Sequence, residues 1–343
     1  MLEWKKLGDV CEVLDSQRKP VSKGKRTKGA YPYYGANGIQ DYVDDYLFDG
    51  TFLLMGEDGS VINKDKSPVL HWAEGKIWVN NHAHILKGSD SALLRYLYYM
   101  LQCVDVTDIV RGVPPKINQA NMRNILIPVP SLSEQTRIVG ILDTFTASIE
   151  NLKQQIAQRR KQYEHYRDQL LDLEGKEGVE MKRLGEVCDK ISAGKNKAKN
   201  KTGQYPVFGS TGIIAYANSY VYDTARILVA RVGANAGFVY ESYGKYDVTD
   251  NTLIVFLKEG ICQKYVFHRL VRENINKYAK GGGQPLITAS LLKDITILVP
   301  SLAEQQRIVS ILDTFEASIA NLEQQLAQRE RQYEYYRNKL LTF

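Results

Sequence analysis

The sequence predicts an α+β fold with a pseudo-two-fold internal repeat: two mixed-sheet globular blocks, joined by two long helices that form an antiparallel coiled coil. Three observations carry this expectation. The 343-residue chain is written twice. Its two most alike segments hold an apolar period of 3.5 residues, and the stretches before them mix strand-like and helical patterns.

The repeat is plainest in PSLSEQTRIVGILDTFTASIENLKQQIAQRRKQYEHYRDQLL, from Pro130, and PSLAEQQRIVSILDTFEASIANLEQQLAQRERQYEYYRNKLL, from Pro300. The offset is 170 residues, and about 30 of some 42 positions are identical. The preceding stretches repeat more loosely. KKLGDVC (from Lys5) matches KRLGEVC (from Lys182), and YPYYGANGI (from Tyr31) matches YPVFGSTGI (from Tyr205). NNHAHIL (from Asn80) answers DNTLIV (from Asp250), GVPPKI (from Gly112) answers GGQPLI (from Gly282), and NILIPVP (from Asn124) answers DITILVP (from Asp294). The organisation expected is a block at 1–130, a helix at 131–173, a linker at 174–181, a second block at 182–300 and a second helix at 301–343.

Each alike segment opens on a capping box, Ser131 with Glu134 and Ser301 with Glu304, whose side chains satisfy amides at a helix start. Apolar residues then alternate by four and three: Ile138, Leu142, Phe145, Ile149, Leu152, Ile156, Tyr163, Tyr166 and Leu170, interrupted by Arg159. The second copy has Ile308, Leu312, Phe315, Ile319, Leu322, Leu326, Tyr333, Tyr336 and Leu340, interrupted by Arg329. This is a coiled-coil seam. About 40 residues at 1.5 Å each span on the order of 60 Å, more than one block would cover. The other copy is therefore the expected partner, and the returning chain makes the pairing antiparallel. The alternative is that each stripe packs on its own block.

Within the blocks, strands are expected at 40–49, 51–55, 77–86 and 124–129, then at 226–232, 252–257 and 295–299. Helices are expected at 91–103 and 263–274. Glycine and asparagine mark the turns.

Basic residues cluster at equivalent places. Arg18, Lys19, Lys23, Lys25, Arg26 and Lys28 fall in one loop; Lys190, Lys195, Lys197, Lys199 and Lys201 fall in its counterpart. Such loops suit phosphate neutralisation, or are simply solvated. Tyr33, Tyr34, Asn37, Asn80, Asn81 and His82 flank the first loop. Phe208, Thr211, Asn251 and Thr252 flank the second, with Asn80, Asn81, His82 and His84 matched to Asp250, Asn251, Thr252 and Ile254. Asparagine pairs with adenine edges, and arginine or lysine with guanine. Arg111, Lys116, Arg231, Asn235, Lys280 and Gln284 complete the candidate DNA contacts. For any one of these residues, turn chemistry or core packing is the other reading.

The net charge of +6 is compatible with an anionic partner. No apolar run is long enough for a membrane-spanning helix. The N-terminal MLEWKKLGDV has no apolar core behind its charges, so a cytoplasmic chain is expected. Cys11, Cys103, Cys188 and Cys262 form no CxxC and read as buried reduced thiols. GxxxxGK, HExxH and GxSxG are absent. His82 and His84 lack companions near in sequence, so no metal site is expected. GVPPK has Val113 where an amino-methyltransferase motif needs an acid or asparagine. The chain reads as a binder rather than a catalyst. A stand-alone methyltransferase or nuclease, and a coiled-coil scaffold with two protein-binding domains, are the competing readings.

YPYYGANGI, LLMGEDG (from Leu53), WVNNHAHIL (from Trp78), GVPPKIN and ILIPVPSLSEQTRIV with the ILDTF helix, together with their second copies, cover nearly the whole chain. In them it resembles the specificity subunit of type I restriction-modification enzymes. The resemblance implies two target recognition domains, each reading half of a bipartite double-stranded DNA sequence, with the coiled coil as a ruler. It implies docking of methylation subunits, expected to be two, and of restriction/translocase subunits. S-adenosylmethionine, ATP and magnesium would belong to those partners. The second block departs from the pattern, with RVGANAG and TDNTLIV in place of the GEDG and NNHAH strings.

If the helices act as that ruler, inserting one heptad in register in both copies adds roughly 10 Å, about three base pairs, to the spacer. Sequencing of methylated sites in cells carrying the insertion checks this; an unchanged spacer refutes the ruler.

Overall fold

A computed structural model describes residues 2–197, 200–281 and 283–343. The chain divides into two compact units, residues 1–153 with 324–343 and residues 154–323. Each is therefore built from one block plus parts of both long helices.

The first unit contains β1 (Glu3–Lys6), α1 (Leu7–Val10), β2 (Cys11–Val13), β3 (Lys28–Gly35), β4 (Gly38–Val43), β5 (Phe48–Gly56), β6 (Leu70–Val79) and β7 (Ala83–Gly88). These are followed by α2 (Leu94–Leu101), α3 (Gln119–Arg123), β8 (Leu126–Val129) and the start of α4 (Leu132–Leu170). Six strands form one mixed sheet in the order β2-β7-β5-β6-β3-β4, and β1 pairs with β8 in a separate ribbon. Along β5, Leu53 and Met55 face one core with Leu86, Tyr96 and Leu97. Phe52 and Leu54 face another with Ile77, Val79 and Ile85. Burial on both faces explains why FLLM is a continuous apolar run rather than an alternating one.

The expected strand at 77–86 is two strands. Asn80 Oδ1 accepts the His82 amide at 2.8 Å, closing an Asx-type turn that reverses the chain between β6 and β7.

The second unit holds β9 (Glu180–Arg183), β10 (Cys188–Ala193), β11 (Tyr205–Gly209), β12 (Gly212–Ala217), β13 (Arg226–Ala230), β14 (Val239–Ser242), β15 (Asp247–Val248) and β16 (Thr252–Leu257). They lead to α5 (Gln263–Glu273), α6 (Ala289–Asp294), β17 (Thr296–Val299) and α7 (Leu302–Leu341), whose last part belongs to the first unit. The topology repeats with one change. The counterpart of β6 is broken into β14 and β15 around Gly244, at φ +66°. The single sheet thereby becomes a four-stranded sheet, β10-β16-β13-β14, and a three-stranded one, β12-β11-β15.

The long helices use their stripes in two ways. Ile138 and Leu142 are fully buried in a core of the first block, where Leu341 joins them. Ile308 and Leu312 occupy the matching place in the second unit, joined by Leu171. Beyond these rungs the helices pack on each other. In the first unit Phe145 stacks on Tyr336, with centroids 5.3 Å apart, and Lys153 reaches Glu330 at 3.6 Å. In the second, Arg160 meets Glu323 at 2.5 Å and Tyr166 stacks on Phe315 at 5.3 Å. As one number rises its partner falls, so each pair is antiparallel. Leu152 and Ile156 are buried, while Ile149, Ile319, Leu322 and Leu326 are half-buried. Arg159 and Arg329 do not break the seam: their guanidinium groups lie over the Phe315 and Phe145 rings at 5.9 and 5.6 Å.

The capping boxes are half-formed. Ser131 and Ser301 hydroxyls accept the amides of Glu134 and Glu304 at 3.4 and 3.3 Å. The glutamate carboxylates instead take Arg137 and Arg307, bidentately, one turn on. All four cysteines are free. Cys11 and Cys188 are buried, and burial pushes each thiol up to about 12. Cys103, against expectation, is exposed, because α2 ends before it. Among the described residues no helix is long and apolar enough to cross a membrane.

On α5, His268 is fully buried, with its Nδ1 3.3 Å from the Tyr163 hydroxyl. Burial pushes its pKa down to about 4, outweighing the nearby Glu316 carboxylate. The unfolded chain, with an ordinary histidine near 6.5, takes up a proton that the fold refuses. Stability is therefore complete above about pH 6.5 and falls towards pH 4, by about 3 kcal/mol in all from this residue. Urea titrations of wild type and His268→Gln across that range check this, with the shallower decline expected in the variant.

Candidate nucleic-acid interface

Four loops of the first block meet at one end of its sheet: the segment after β2, the β5–β6 loop, the β6–β7 turn and the stretch before α3. Backbone bonds tie them together. The Glu57 amide donates to the His82 carbonyl at 2.8 Å, the Ile117 amide to the Glu57 carbonyl at 2.8 Å, and the Asn80 amide to the Tyr34 carbonyl at 3.0 Å. The second block repeats this pattern. The Arg231 amide donates to Asn251 at 2.9 Å, Ile287 to Arg231 at 2.8 Å and Thr249 to Phe208 at 2.9 Å.

These bonds correct the matching of the two halves by one residue. Asn80, Asn81, His82 and His84 correspond to Thr249, Asp250, Asn251 and Leu253. The core enforces this: Leu54 faces Ile85 as Leu228 faces Ile254, and a one-residue slip would turn every side chain to the other face.

The side chains on this shared backbone differ. In the first block Glu57 takes Arg18 at 2.5 Å and Lys116 at 3.1 Å. Asp15 accepts His84 Nδ1 at 2.6 Å, Gln119 Nε2 at 2.9 Å and the Ile85 amide at 2.9 Å. Burial pushes the Asp15 carboxyl up, but the hydrogen bond and charge of His84, with the other donors, outweigh it and hold it below the usual range. Asp15, Glu57 and His84 offer ligand atoms within 4.8 Å of one another. Their chemistry is nonetheless that of an ion-pair network. The other ring nitrogen of His84 lies 2.8 Å from the Ile117 carbonyl, so both nitrogens already face oxygens of the protein, while Arg18 and Lys116 engage the carboxylates. In the second block the positions of Asp15, Glu57 and His84 are Ala193, Arg231 and Leu253. The charge at the central position is reversed. Arg231 NH1 donates to the Asp250 carbonyl at 3.3 Å, as Arg18 NH1 donates to the equivalent Asn81 carbonyl at 3.4 Å.

The candidate residues fall into two groups. Lys23, Lys25, Lys28, Asn37, Asn81 and Arg111 are exposed, and so are Lys195, Lys197, Lys201, Thr211, Asn235, Asn251, Lys280 and Gln284. His82 is half-buried and pairs with Asp58; Lys116 is exposed but paired. Others serve the scaffold. Tyr33 is 1% exposed, its hydroxyl bonded to Val21, and Arg26 lies 4.0 Å over its ring while reaching Asp41 at 3.2 Å. Tyr34, Asn80, Phe208 and Thr252 are buried. Lys199, and Gly282 of the GGQPLI string, lie outside the described residues. Sequence reading missed Arg18 as a scaffold cation and Phe238, an aromatic 58% exposed beside Asn235.

A sequence model of the type I restriction modification DNA specificity domain matches residues 1–159 and 176–331. A type I restriction enzyme specificity subunit of Haemophilus influenzae is 33% identical over 378 residues, covering 100% of this chain and 96% of the relative. One from Escherichia coli is 31% identical over 403 residues, covering 100% and 98%. The crystal structure of a type I restriction-modification S subunit from M. genitalium shares the fold, with a TM-score of 0.74 at 16% identity, covering 100% of this chain and 96% of that one.

The network sets a stability contrast. Asp15→Ala removes the carboxylate against the fully buried His84 ring, and with it the acceptor for Gln119 and the Ile85 amide, and is expected to cost about 3–5 kcal/mol. Lys116→Ala, at the exposed end, is expected to cost under about 1 kcal/mol. Urea denaturation of the two variants measures the difference.

Proposed function

The chain belongs to the type I restriction-modification DNA specificity family, and from that premise we propose that its two blocks each read one half of a bipartite double-stranded DNA target. The observation that carries this reading is the shared loop scaffold with unlike side chains, Glu57 in one block standing where Arg231 stands in the other. Backbone-fixed loops supply rigid positions, and the side chains on them choose bases.

Lys23, Lys25 and Lys28 in the first block, and Lys195, Lys197 and Lys201 in the second, follow the phosphates, and Lys199 in the same string does likewise. Asn37, Asn81, His82 and Arg111 read base edges in one half-site; Thr211, Arg231, Asn235, Asn251, Lys280 and Gln284 read them in the other. The chain supplies no catalytic group of its own. Methylation subunits, expected to be two, and restriction/translocase subunits bring the chemistry, and S-adenosylmethionine, ATP and magnesium act on those partners in the cytoplasm. The domain limits follow: 1–130 and 182–300 read DNA, 131–173 and 301–343 form the spacer helices.

Replacing Lys23, Lys25 and Lys28 together by alanine is expected to weaken target and non-target DNA alike. It should flatten the dependence of log K on log salt by about 0.9 for each phosphate no longer neutralised. Asn251→Ala should weaken the target alone. Fluorescence titrations over a range of salt, with the chain in complex with its methylation subunits, measure both. Binding that ignores salt and sequence would favour the protein-binding scaffold instead.

A further inference from the structure

The β3–β4 and β11–β12 hairpins carry the same irregularity. Tyr33 pairs with Asp41 and Tyr34 with Ile39, leaving Gln40 as an extra residue. Val207 pairs with Ala215 and Phe208 with Ile213, leaving Ile214 in the same place. A bulge bends its strand and re-aims a side chain. Here the bulged side chain lies across a glycine of the facing strand. A Cβ on Gly35 would come within 2.2 Å of Gln40 Nε2, and one on Gly209 within 2.5 Å of Ile214 Cδ1.

Both hairpin tips are fastened to a turn of the candidate interface and to a neighbouring strand. Asn80 Nδ2 donates to Gln40 Oε1 at 3.3 Å, and His71 Nε2 lies 3.0 Å from the Ala36 carbonyl. In the second block the Tyr240 hydroxyl donates to the Gly209 carbonyl, and the Thr249 amide holds Phe208. The bulged residues are nevertheless exposed, Ile214 by 46%. A rigid, solvent-facing position that is an amide in one block and a branched aliphatic in the other is spent on something other than the core.

We propose that Gln40 and Ile214 are specificity-determining residues, one for each half-site. Gln40 pairs with N6 and N7 of an adenine, and Ile214 contacts the C5 methyl of a thymine in the major groove. This rests on the reading of the two blocks as DNA readers.

The test uses the chain co-purified with its methylation subunits and duplexes of its methylated target. Each thymine in turn is replaced by uracil, which removes only the methyl, and each adenine by 7-deazaadenine, which removes only N7. One uracil in one half-site is expected to weaken binding by roughly fivefold, and Ile214→Ala should bind thymine and uracil there equally. One 7-deazaadenine in the other half-site should do the same for wild type, and not for Gln40→Ala. If the alanine variant does not fold, Ile214→Val gives the same readout with a reduced ratio. Indifference of wild type to every such replacement overturns the proposal, as does undiminished discrimination in the variants. A wild-type complex with no sequence preference at all overturns the underlying reading instead.

Discussion

Each block leaves one face of its sheet to be covered from far away in sequence. In the first unit α2 covers part of that face, and Ile138 and Leu142 from α4 with Leu341 from the far end of α7 complete it; in the second, α5 is completed by Ile308 and Leu312 with Leu171. All six are at most 5% exposed, and burying each contributes about 1.5–3 kcal/mol. Neither block closes its core without turns from both long helices. This constraint also explains why two helical segments stay so alike while the blocks before them diverge. Each helix must fit a block core with its first turns, its sister helix in the middle, and the other core with its last. The exchange pairs Phe145–Tyr336 and Phe315–Tyr166 are the same stacking arrangement made once in each unit.

With the core covered in this way, the opposite end of each sheet is free to vary. The loops there are held by main-chain bonds that ask nothing of the side chains. Glu57 and Arg231 occupy one backbone position with opposite charge because each finds its own compensation. Glu57 is neutralised by Arg18 and Lys116, whereas Arg231 rests on the Asp250 carbonyl. A scaffold that tolerates such reversal suits recognition of different sequences by one fold.

The cations divide by the same logic. Two arginines of the basic segment, Arg18 and Arg26, are bound to acids, carbonyls and a tyrosine ring, work for which a planar multi-donor group is suited. The lysines beside them, Lys23, Lys25 and Lys28, are exposed. A modest net charge thus conceals local surfaces where cations outnumber acids.

Sequence alone determined the repeat, the long helices with their serine caps, the apolar seam and the family resemblance, because these depend on identities and periods along the chain. Strands buried on both faces, such as Phe52 to Met55, were legible for the same reason. Tertiary structure alone decided which rungs of the stripe enter a block and which face the sister helix, since a heptad pattern does not name its partner. It also decided that Tyr33 and Asn80 belong to the scaffold while Asn81 faces solvent, and that Asn80 corresponds to Thr249 rather than Asp250. Those outcomes rest on hydrogen bonds and core packing between residues tens of positions apart. The bulges at Gln40 and Ile214 belong to the same class: a bulge is a mismatch between two strands, and neither strand's sequence contains it.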